Sequence, residues 1–327
     1  MNPRIALRSP LAKVWAMTLA LVIANAVVSP DLLAGSRLPG MVNLLVPLVL
    51  AALASVPSIL SGGGGLDLSV GPLLGFVNVF AVGVLVPRGL GSAWIGIPLC
   101  LLLGAAVGAL NGALVAYGRL QPIVVTLGSF LVLAGLALVV MPEPVGGAPG
   151  WAAFLADSSL GGYLPHSLIL LLAAFGLWAA LRTAGFVRLV RAVGSDQRAA
   201  YTSGVNVPAI RLGAYTLGGV FAALAGLALT ALINSGDPTA GRQYTLMAIA
   251  AVALGANALH GGRGGILGPL LGAGTLFLIQ LLLSAVNVSS LWIQVVYGTV
   301  LLVAICLNST TAGGARLRTA APQGARP

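Results

Sequence analysis

The chain has 327 residues, of which 58% are hydrophobic and only 7% are charged, and its formal net charge is +10. Soluble proteins carry about 25% charged residues, so 16 basic and 6 acidic side chains cannot cover a soluble protein of this size. The composition therefore excludes a soluble enzyme, a disordered chain and a disulfide scaffold, and it predicts an all-α polytopic membrane protein with lipid as its main solvent.

Ten segments are apolar enough and, at about 20 residues each, long enough to cross a bilayer as helices. They lie near residues 13–29, 41–60, 66–86, 93–116, 122–140, 165–183, 208–233, 244–258, 264–286 and 289–307. We therefore expect about ten transmembrane helices in a single domain over residues 13–308. Residues 1–12 would form a cytoplasmic N-terminus, and residues 309–327 a disordered basic cytoplasmic tail.

The first segment has two interpretations. A basic start, an apolar stretch and the sequence Ala24-Asn25-Ala26 resemble a cleavable signal peptide. A retained helix is the interpretation we favour, and cleavage would leave nine spans with the same orientation.

The basic residues set the orientation of the chain. With the N-terminus in the cytoplasm, 13 of the 16 lysines and arginines fall on the cytoplasmic side and 3 outside. Positive residues are retained on the cytoplasmic side, so both termini are predicted to be cytoplasmic. The basic residues sit between apolar runs without interleaved aromatics, so the positive charge does not indicate a nucleic-acid partner.

Small residues recur every four positions in two of the spans. Such spacing lets helix backbones approach closely, so it predicts helix packing, with a sliding surface for conformational change as the alternative. The residues are Gly104, Gly108 and Gly112 in the fourth span, and Gly218, Ala222 and Gly226 in the seventh.

A five-residue sequence occurs twice. Residues 71–75 and 268–272 both read Gly-Pro-Leu-Leu-Gly, and each copy follows a glycine-rich turn, at 62–65 and 261–265. An internal duplication, which is common in transporters, would produce this sequence repeat. Chance repetition in a chain rich in glycine and leucine is the alternative.

The chain lacks the sequence patterns of several reaction centres. Its only lysine, Lys13, does not follow a glycine, so no phosphate-binding loop is present and the chain is not expected to hydrolyse ATP. Zinc and dithiol spacings are missing as well, and Cys100 and Cys306 are predicted to be small buried hydrophobic residues. We expect no catalytic residue, no metal and no cofactor in this chain, which disfavours an intramembrane enzyme.

The most polar interior stretch is 184–208. Ser195 or Asp196 suits a helix N-cap, Gly204 suits the left-handed position after a helix, and Pro208 suits the start of the next span. The pattern predicts a short helix on the cytoplasmic face. That helix would either dock into a groove on a cytoplasmic partner or belong to a loop whose arginines bind anionic lipid headgroups.

Polar residues within the spans are the candidates for a solute path. Asp67 either caps the third span or, with Ser69, holds a broken helix near the cytoplasmic gate. The other polar residues are neutral, which suits a neutral polar solute and not an ion relay, although helix–helix hydrogen bonding is the role we favour for each of them. The path candidates are Asp67, Ser69, Asn78, Asn111, Thr126 and Gln280.

Three stretches resemble one known family. Residues 64–71 (Gly-Gly-Leu-Asp-Leu-Ser-Val-Gly), 192–205 (Ala-Val-Gly-Ser-Asp-Gln-Arg-Ala-Ala-Tyr-Thr-Ser-Gly-Val) and the region from 237 to 268 are similar to the permease subunits of bacterial ATP-binding-cassette (ABC) importers of the ribose/xylose/arabinose type. Related permeases serve nucleosides, autoinducer-2 and branched-chain amino acids. The resemblance covers about residues 41–308.

The resemblance implies a type II-like importer permease in the bacterial inner membrane. Its partners would be separate ATPase subunits that bind ATP, a periplasmic or lipid-anchored solute-binding protein, and a second permease copy or paralogue. The solute would be a monosaccharide, or alternatively a branched-chain amino acid, a nucleoside or autoinducer-2. The residues implied to couple to the ATPase are Gly194, Ser195, Asp196, Arg198, Ala199, Ala200, Ser203 and Gly204.

Overall fold

The computed structural model describes residues 10–30, 37–157, 164–289, 292, 295–299 and 302. The helices in these residues are α1 (Pro10–Val28), α2 (Leu38–Leu60), α3 (Val70–Val79), α4 (Ala93–Ala116), α5 (Pro122–Val140), α6 (Gly150–Ala156), α7 (Leu168–Thr183), α8 (Phe186–Ser195), α9 (Gln197–Thr202), α10 (Val207–Ile233), α11 (Tyr244–Leu254) and α12 (Leu267–Ala285). Two-residue strands β1 (Val145–Gly146) and β2 (Ser235–Gly236) pair antiparallel.

The expected all-α polytopic architecture is confirmed, but the number of spans differs. Among the described residues, seven helices are long and apolar enough to cross a membrane, or eight if α7 and α8, which are bent by 77°, count as one span. The segment at 244–258 contains only the 11-residue α11, about 16 Å long and roughly half of the hydrocarbon thickness. The tenth segment, 289–307, lies largely outside the described residues, as does the tail at 309–327.

Helix α10 forms the centre of the bundle. It begins with Pro208 in its first turn, where a missing N–H is harmless, and its 27 residues extend about 40 Å. It packs mainly against α4, α2 and α3. Phe221 and Leu227 on this helix are completely buried, so the axis of the molecule is shielded from lipid.

The glycine face predicted in the fourth span is confirmed. A methyl group at Gly104 would collide with the carbonyl oxygen of Gly219 on α10, and one at Gly108 would collide with that of Tyr215. At Gly112 a methyl group would lie 2.9 Å from the Cα of Leu212. Helices α4 and α10 therefore touch backbone to backbone, as small residues permit where lipid offers no hydrophobic drive.

The third span is interrupted at both ends. The sequence pattern predicted a helix from residue 66, whereas residues 61–69 are not helical and α3 begins at Val70. After Val79 the backbone widens into a π-helical turn, Phe80–Leu85, followed by a 3₁₀ turn, Val86–Arg88. Such breaks are frequent at functional sites.

The repeated Gly-Pro-Leu-Leu-Gly sequence has the same structural role in both places. In the first copy, Gly75 packs against Gly241, and the N–H of Gly71 donates a 3.2 Å hydrogen bond to Oγ1 of Thr245, in the first turn of α11. In the second copy, Gly272 packs against the backbone of Ala251 near the end of α11. The two copies therefore hold the short helix α11 at its two ends.

Replacing Gly108 tests the contact between α4 and α10. Gly108→Ala should destabilise the protein by about 1–3 kcal/mol, because the added methyl group must displace backbone atoms. The matched control is Gly176→Ala in α7, where nothing lies within 4 Å of the new methyl group and helix propensity alone favours alanine by about 1 kcal/mol. Thermal unfolding in detergent should show a lower midpoint for the first variant only. Equal midpoints would contradict the contact.

Candidate coupling and translocation sites

The segment between α7 and α10 contains two helices where the sequence pattern predicted one. Helix α8 presents Val187, Val190 and Val193 to the core, and all three are buried. This face anchors the segment to the bundle. The sequence analysis did not predict this helix, because the arginines between the valines make the segment polar overall.

Helix α9 is anchored by Ala200 and by a hydrogen bond that Arg211 donates to Gln197, and most of its surface is exposed. Asp196, not Ser195, is its N-cap: Oδ1 accepts a 3.0 Å hydrogen bond from the N–H of Ala199. Ala200 is buried against Val193 and Val207, whereas the other residues of α9 are exposed. Gly204 takes the predicted left-handed conformation, with φ of +82°. The result is a short helix that packs on the bundle through one face and exposes its other faces.

Three chain turns meet where α8 joins α9. We call this contact the glycine junction; it comprises Gly62, Gly194, Gly261 and Gly262. A methyl group at Gly194 would collide with the carbonyl oxygen of Leu60, and one at Gly62 would lie 2.8 Å from the Cα of Gly194. The N–H of Gly262 donates a 3.1 Å hydrogen bond to the same carbonyl oxygen of Leu60.

The glycine junction joins distant parts of the sequence through backbone atoms. Its turns precede α3 and α12, the two helices that carry the repeated sequence. The α8–α9 segment therefore touches the turns before both helices through backbone atoms, with no side chain between them.

A buried hydrogen-bond network surrounds Asp67. Its Oδ1 accepts bonds from the N–H and Oγ of Ser69, at 2.9 and 2.6 Å. Asn111 on α4 donates to Oγ of Ser69 at 3.0 Å and accepts a bond from Ser129 on α5. The network ties the non-helical segment 61–69 to two helices.

Asp67 is not the cap of α3. The N-cap residue of this helix is Ser69, whose side chain makes no capping bond and instead donates to Asp67. The alternative, a broken-helix element held by Asp67 and Ser69, matches the observed geometry.

The six path candidates separate into three places. Asp67, Ser69 and Asn111 are joined in the network, and Thr126 donates a 3.4 Å bond to the carbonyl oxygen of Leu66 beside it. Asn78 lies apart, because its amide nitrogen donates to Thr230 and its oxygen accepts the N–H of Asp237.

Gln280, the sixth path candidate, occupies the third place. Its side-chain oxygen accepts a 2.9 Å hydrogen bond from the hydroxyl of Tyr297. The structure thus brings four of the candidates together and separates the other two from them.

A cavity of about 650 Å³ lies beside the start of α11, at the opposite end of α10 from the segment 184–208. Sequence reasoning did not identify it, although the stretch 237–241 stood out as a family motif. Gln280 lies just behind it, bonded to Tyr297. The lining residues are Asp237, Thr239, Ala240, Arg242, Gln243, Leu246, Met247, Tyr297 and Gly298.

Comparison with known proteins identifies similar permeases. Residues 40–305 match the family described as branched-chain amino acid transport system / permease component. The chain is 35% identical to the ribose import permease protein RbsC of Bacillus subtilis over 253 residues, 75% of this chain and 76% of that protein. It is 32% identical to the fructose import permease protein FrcC of Rhizobium meliloti over 253 residues, 75% of this chain and 70% of that protein.

A further relative has a different solute in its name. The chain is 34% identical to the autoinducer 2 import system permease protein LsrD of Klebsiella pneumoniae over 218 residues, 64% of this chain and 65% of that protein. No solved structure matches the chain.

Two substitutions test the network around Asp67. Ser69→Ala removes a donor to Asp67 and the acceptor of Asn111, and leaving such buried groups unsatisfied costs about 1–3 kcal/mol. The control is Ser55→Ala in α2, since the buried hydroxyl of Ser55 has no hydrogen-bond partner among the described residues and its loss removes no hydrogen bond. Thermal unfolding should separate the two variants; equal destabilisation would argue that the network does not hold the loop.

Proposed function

Because the chain belongs to the branched-chain amino acid transport system / permease component family, we propose that it is the membrane-spanning subunit of an ABC importer that brings a monosaccharide into the cell. Two of the relatives described above are named as ribose and fructose import permeases. The protein is a transport component, and separate ATPase subunits supply the energy by binding and hydrolysing ATP.

The orientation follows from the distribution of positive charge. With 13 of the 16 basic residues on one side, that side is cytoplasmic, and it carries both termini and the coupling segment 184–208. The opposite end, with the cavity beside α11, faces the exterior, where a solute-binding protein delivers its cargo. Two permease copies or paralogues complete the translocation unit.

Helix α9 is the docking element for the ATPase. Short exposed helices fit grooves on partner proteins, and α9 with its C-cap residue Ser203 offers an exposed surface that includes Arg198 and Ala199. Its anchor, Ala200, is buried. A partner that moves α9 therefore acts on the bundle through α8 and the start of α10, because Ala200 packs against Val193 and Val207.

The glycine junction is the observation that carries the proposal. Gly194 lies against the backbone at the end of α2, and Gly262 is hydrogen-bonded to the same carbonyl oxygen. Movement of the docking segment is transmitted there to the segments before α3 and α12. The first of these segments contains Asp67 and Ser69, so the network around Asp67 is positioned to act as the gate.

The solute enters through the cavity beside α11. Amide and carboxylate groups, such as those of Gln243 and Asp237, exchange hydrogen bonds with sugar hydroxyls, and a cavity of about 650 Å³ accommodates a monosaccharide. The same machinery could carry a branched-chain amino acid, a nucleoside or autoinducer-2. The name of the relative LsrD favours the last of these as the second candidate.

A matched pair of substitutions at Asp196 tests the docking role of α9. Asp196→Ala removes the N-cap of a six-residue helix, at a cost of about 1 kcal/mol, and should lower solute uptake severalfold. Asp196→Asn preserves capping, because asparagine and aspartate are equivalent N-caps, and should retain uptake. The assay is uptake of labelled ribose, fructose and autoinducer-2 by vesicles containing the permease, its ATPase and its binding protein.

Co-purification of the ATPase with each variant, together with the variant's thermal unfolding midpoint in detergent, distinguishes lost docking from misfolding, because lost docking releases the ATPase and leaves the midpoint near that of the wild type. Normal uptake by the Asp196→Ala variant would exclude α9 as the docking element. Uptake driven by a proton gradient without any ATPase would refute the proposed function as a whole.

A further inference from the structure

A second cavity, of about 840 Å³, lies beside α9. We call it the arginine cavity. It is formed by the end of α4, the turn before α5, helix α9 and the first turn of α10. Its lining residues are Gly63, Val115, Ala116, Arg119, Leu120, Gln121, Pro122, Gln197, Arg198, Tyr201, Thr202, Val207, Pro208 and Arg211.

The charge of this cavity is one-sided. Arg119, Arg198 and Arg211 line it, and none of its described lining residues is acidic. Asp196, the acidic residue closest to α9 in sequence, is engaged in capping that helix. Helices α5 and α10 also begin at the cavity wall, and their N-terminal dipole ends add positive potential. Three like charges around one space repel each other unless an anion offsets them.

One of the arginines is held in place, and a second has an uncommon backbone conformation. One terminal nitrogen of Arg211 donates a 2.9 Å hydrogen bond to Oε1 of Gln197, and its Nε is buried without a hydrogen-bond partner among the described residues. Arg119 has a left-handed backbone, with φ of +54°, which is uncommon for a residue other than glycine. Residues held in such conformations cluster at ligand sites.

We propose that the arginine cavity binds a phosphate group. The planar guanidinium fork pairs with two phosphate oxygens at once, and three such groups facing one space suit a phosphate better than a singly charged carboxylate. Leu120 lies in the cavity wall, and Leu120, Ile123 and Val124 are exposed where α5 begins. An anionic lipid could therefore place its headgroup in the cavity and its acyl chains along this helix. A soluble phosphate ester has the same chemistry.

A phosphate bound in the arginine cavity would affect transport. Arg198, Tyr201 and Thr202 belong to α9, which also lines the cavity, so a bound phosphate would fix the position of the docking helix. This consequence, and the cytoplasmic location of the cavity, rest on the proposed function. Phosphate binding itself does not, because it is measured without transport, ATPase or binding protein.

The test uses the full chain in nanodiscs and has two arms. In the first arm the nanodiscs contain phosphatidylcholine and phosphatidylglycerol, and native mass spectrometry counts the phosphatidylglycerol retained after release into detergent. In the second arm the nanodiscs contain phosphatidylcholine alone, and phosphorus NMR follows the broadening of inorganic phosphate during a titration. The variants are Arg119→Asn, which keeps a residue that tolerates the left-handed backbone, and Arg198→Gln.

The control is Arg182→Gln, which removes the charge of an exposed arginine at the end of α7 that does not line the cavity. Each cavity variant should weaken binding about tenfold, the loss typical of one charge-assisted hydrogen bond, while the control should bind like the wild type. An effect confined to the first arm identifies a lipid headgroup, and one confined to the second identifies a soluble phosphate. If neither arm separates the cavity variants from the control, the proposal is wrong.

Discussion

Contact between bare backbones is the constraint on which this structure depends. A bilayer gives helices no hydrophobic reason to associate, so packing must come from van der Waals contact at close range. Gly104 and Gly108 bring α4 against α10, and Gly75 and Gly272 bring the repeated sequences against the two ends of α11. At each of these contacts the added volume of a single methyl group would force backbone atoms apart.

The same constraint gives the bundle a mechanical connection. At the glycine junction, Gly194 meets the turns on either side of it with no side chain between them, and the Leu60 carbonyl oxygen is bound by Gly262. The turn at Gly62 leads into the interrupted third span, and the turn at Gly261 and Gly262 leads into α12. Interrupted helices in transporters are tolerated where neighbouring groups satisfy the freed backbone, and the Asp67 and Thr245 side chains do so here.

Local features were predictable from the sequence, and non-local ones were not. The glycine face of α4, a helix cap at Ser195 or Asp196 and the left-handed Gly204 each depend on a few neighbouring residues. The structure has the glycine face, a cap at Asp196 and a left-handed Gly204. The shortness of α11 escaped prediction because the residues that follow Leu254, Gly-Ala-Asn-Ala, carry no charge that would mark the end of a span. The partners of Asn78 and Gly194 escaped it because they are distant in sequence, and the cavity beside α11 because its walls come from separate elements.

The most direct test of the central claim is the distance between spin labels during the ATP cycle. In a chain lacking Cys100 and Cys306, labels at Thr202→Cys and Arg263→Cys report on α9 and the turn before α12; labels at Thr202→Cys and Trp94→Cys report on α9 and the far end of α4. A connection through the glycine junction predicts that the first distance stays constant while the second changes between nucleotide states. A first distance that changes as much as the second would contradict it.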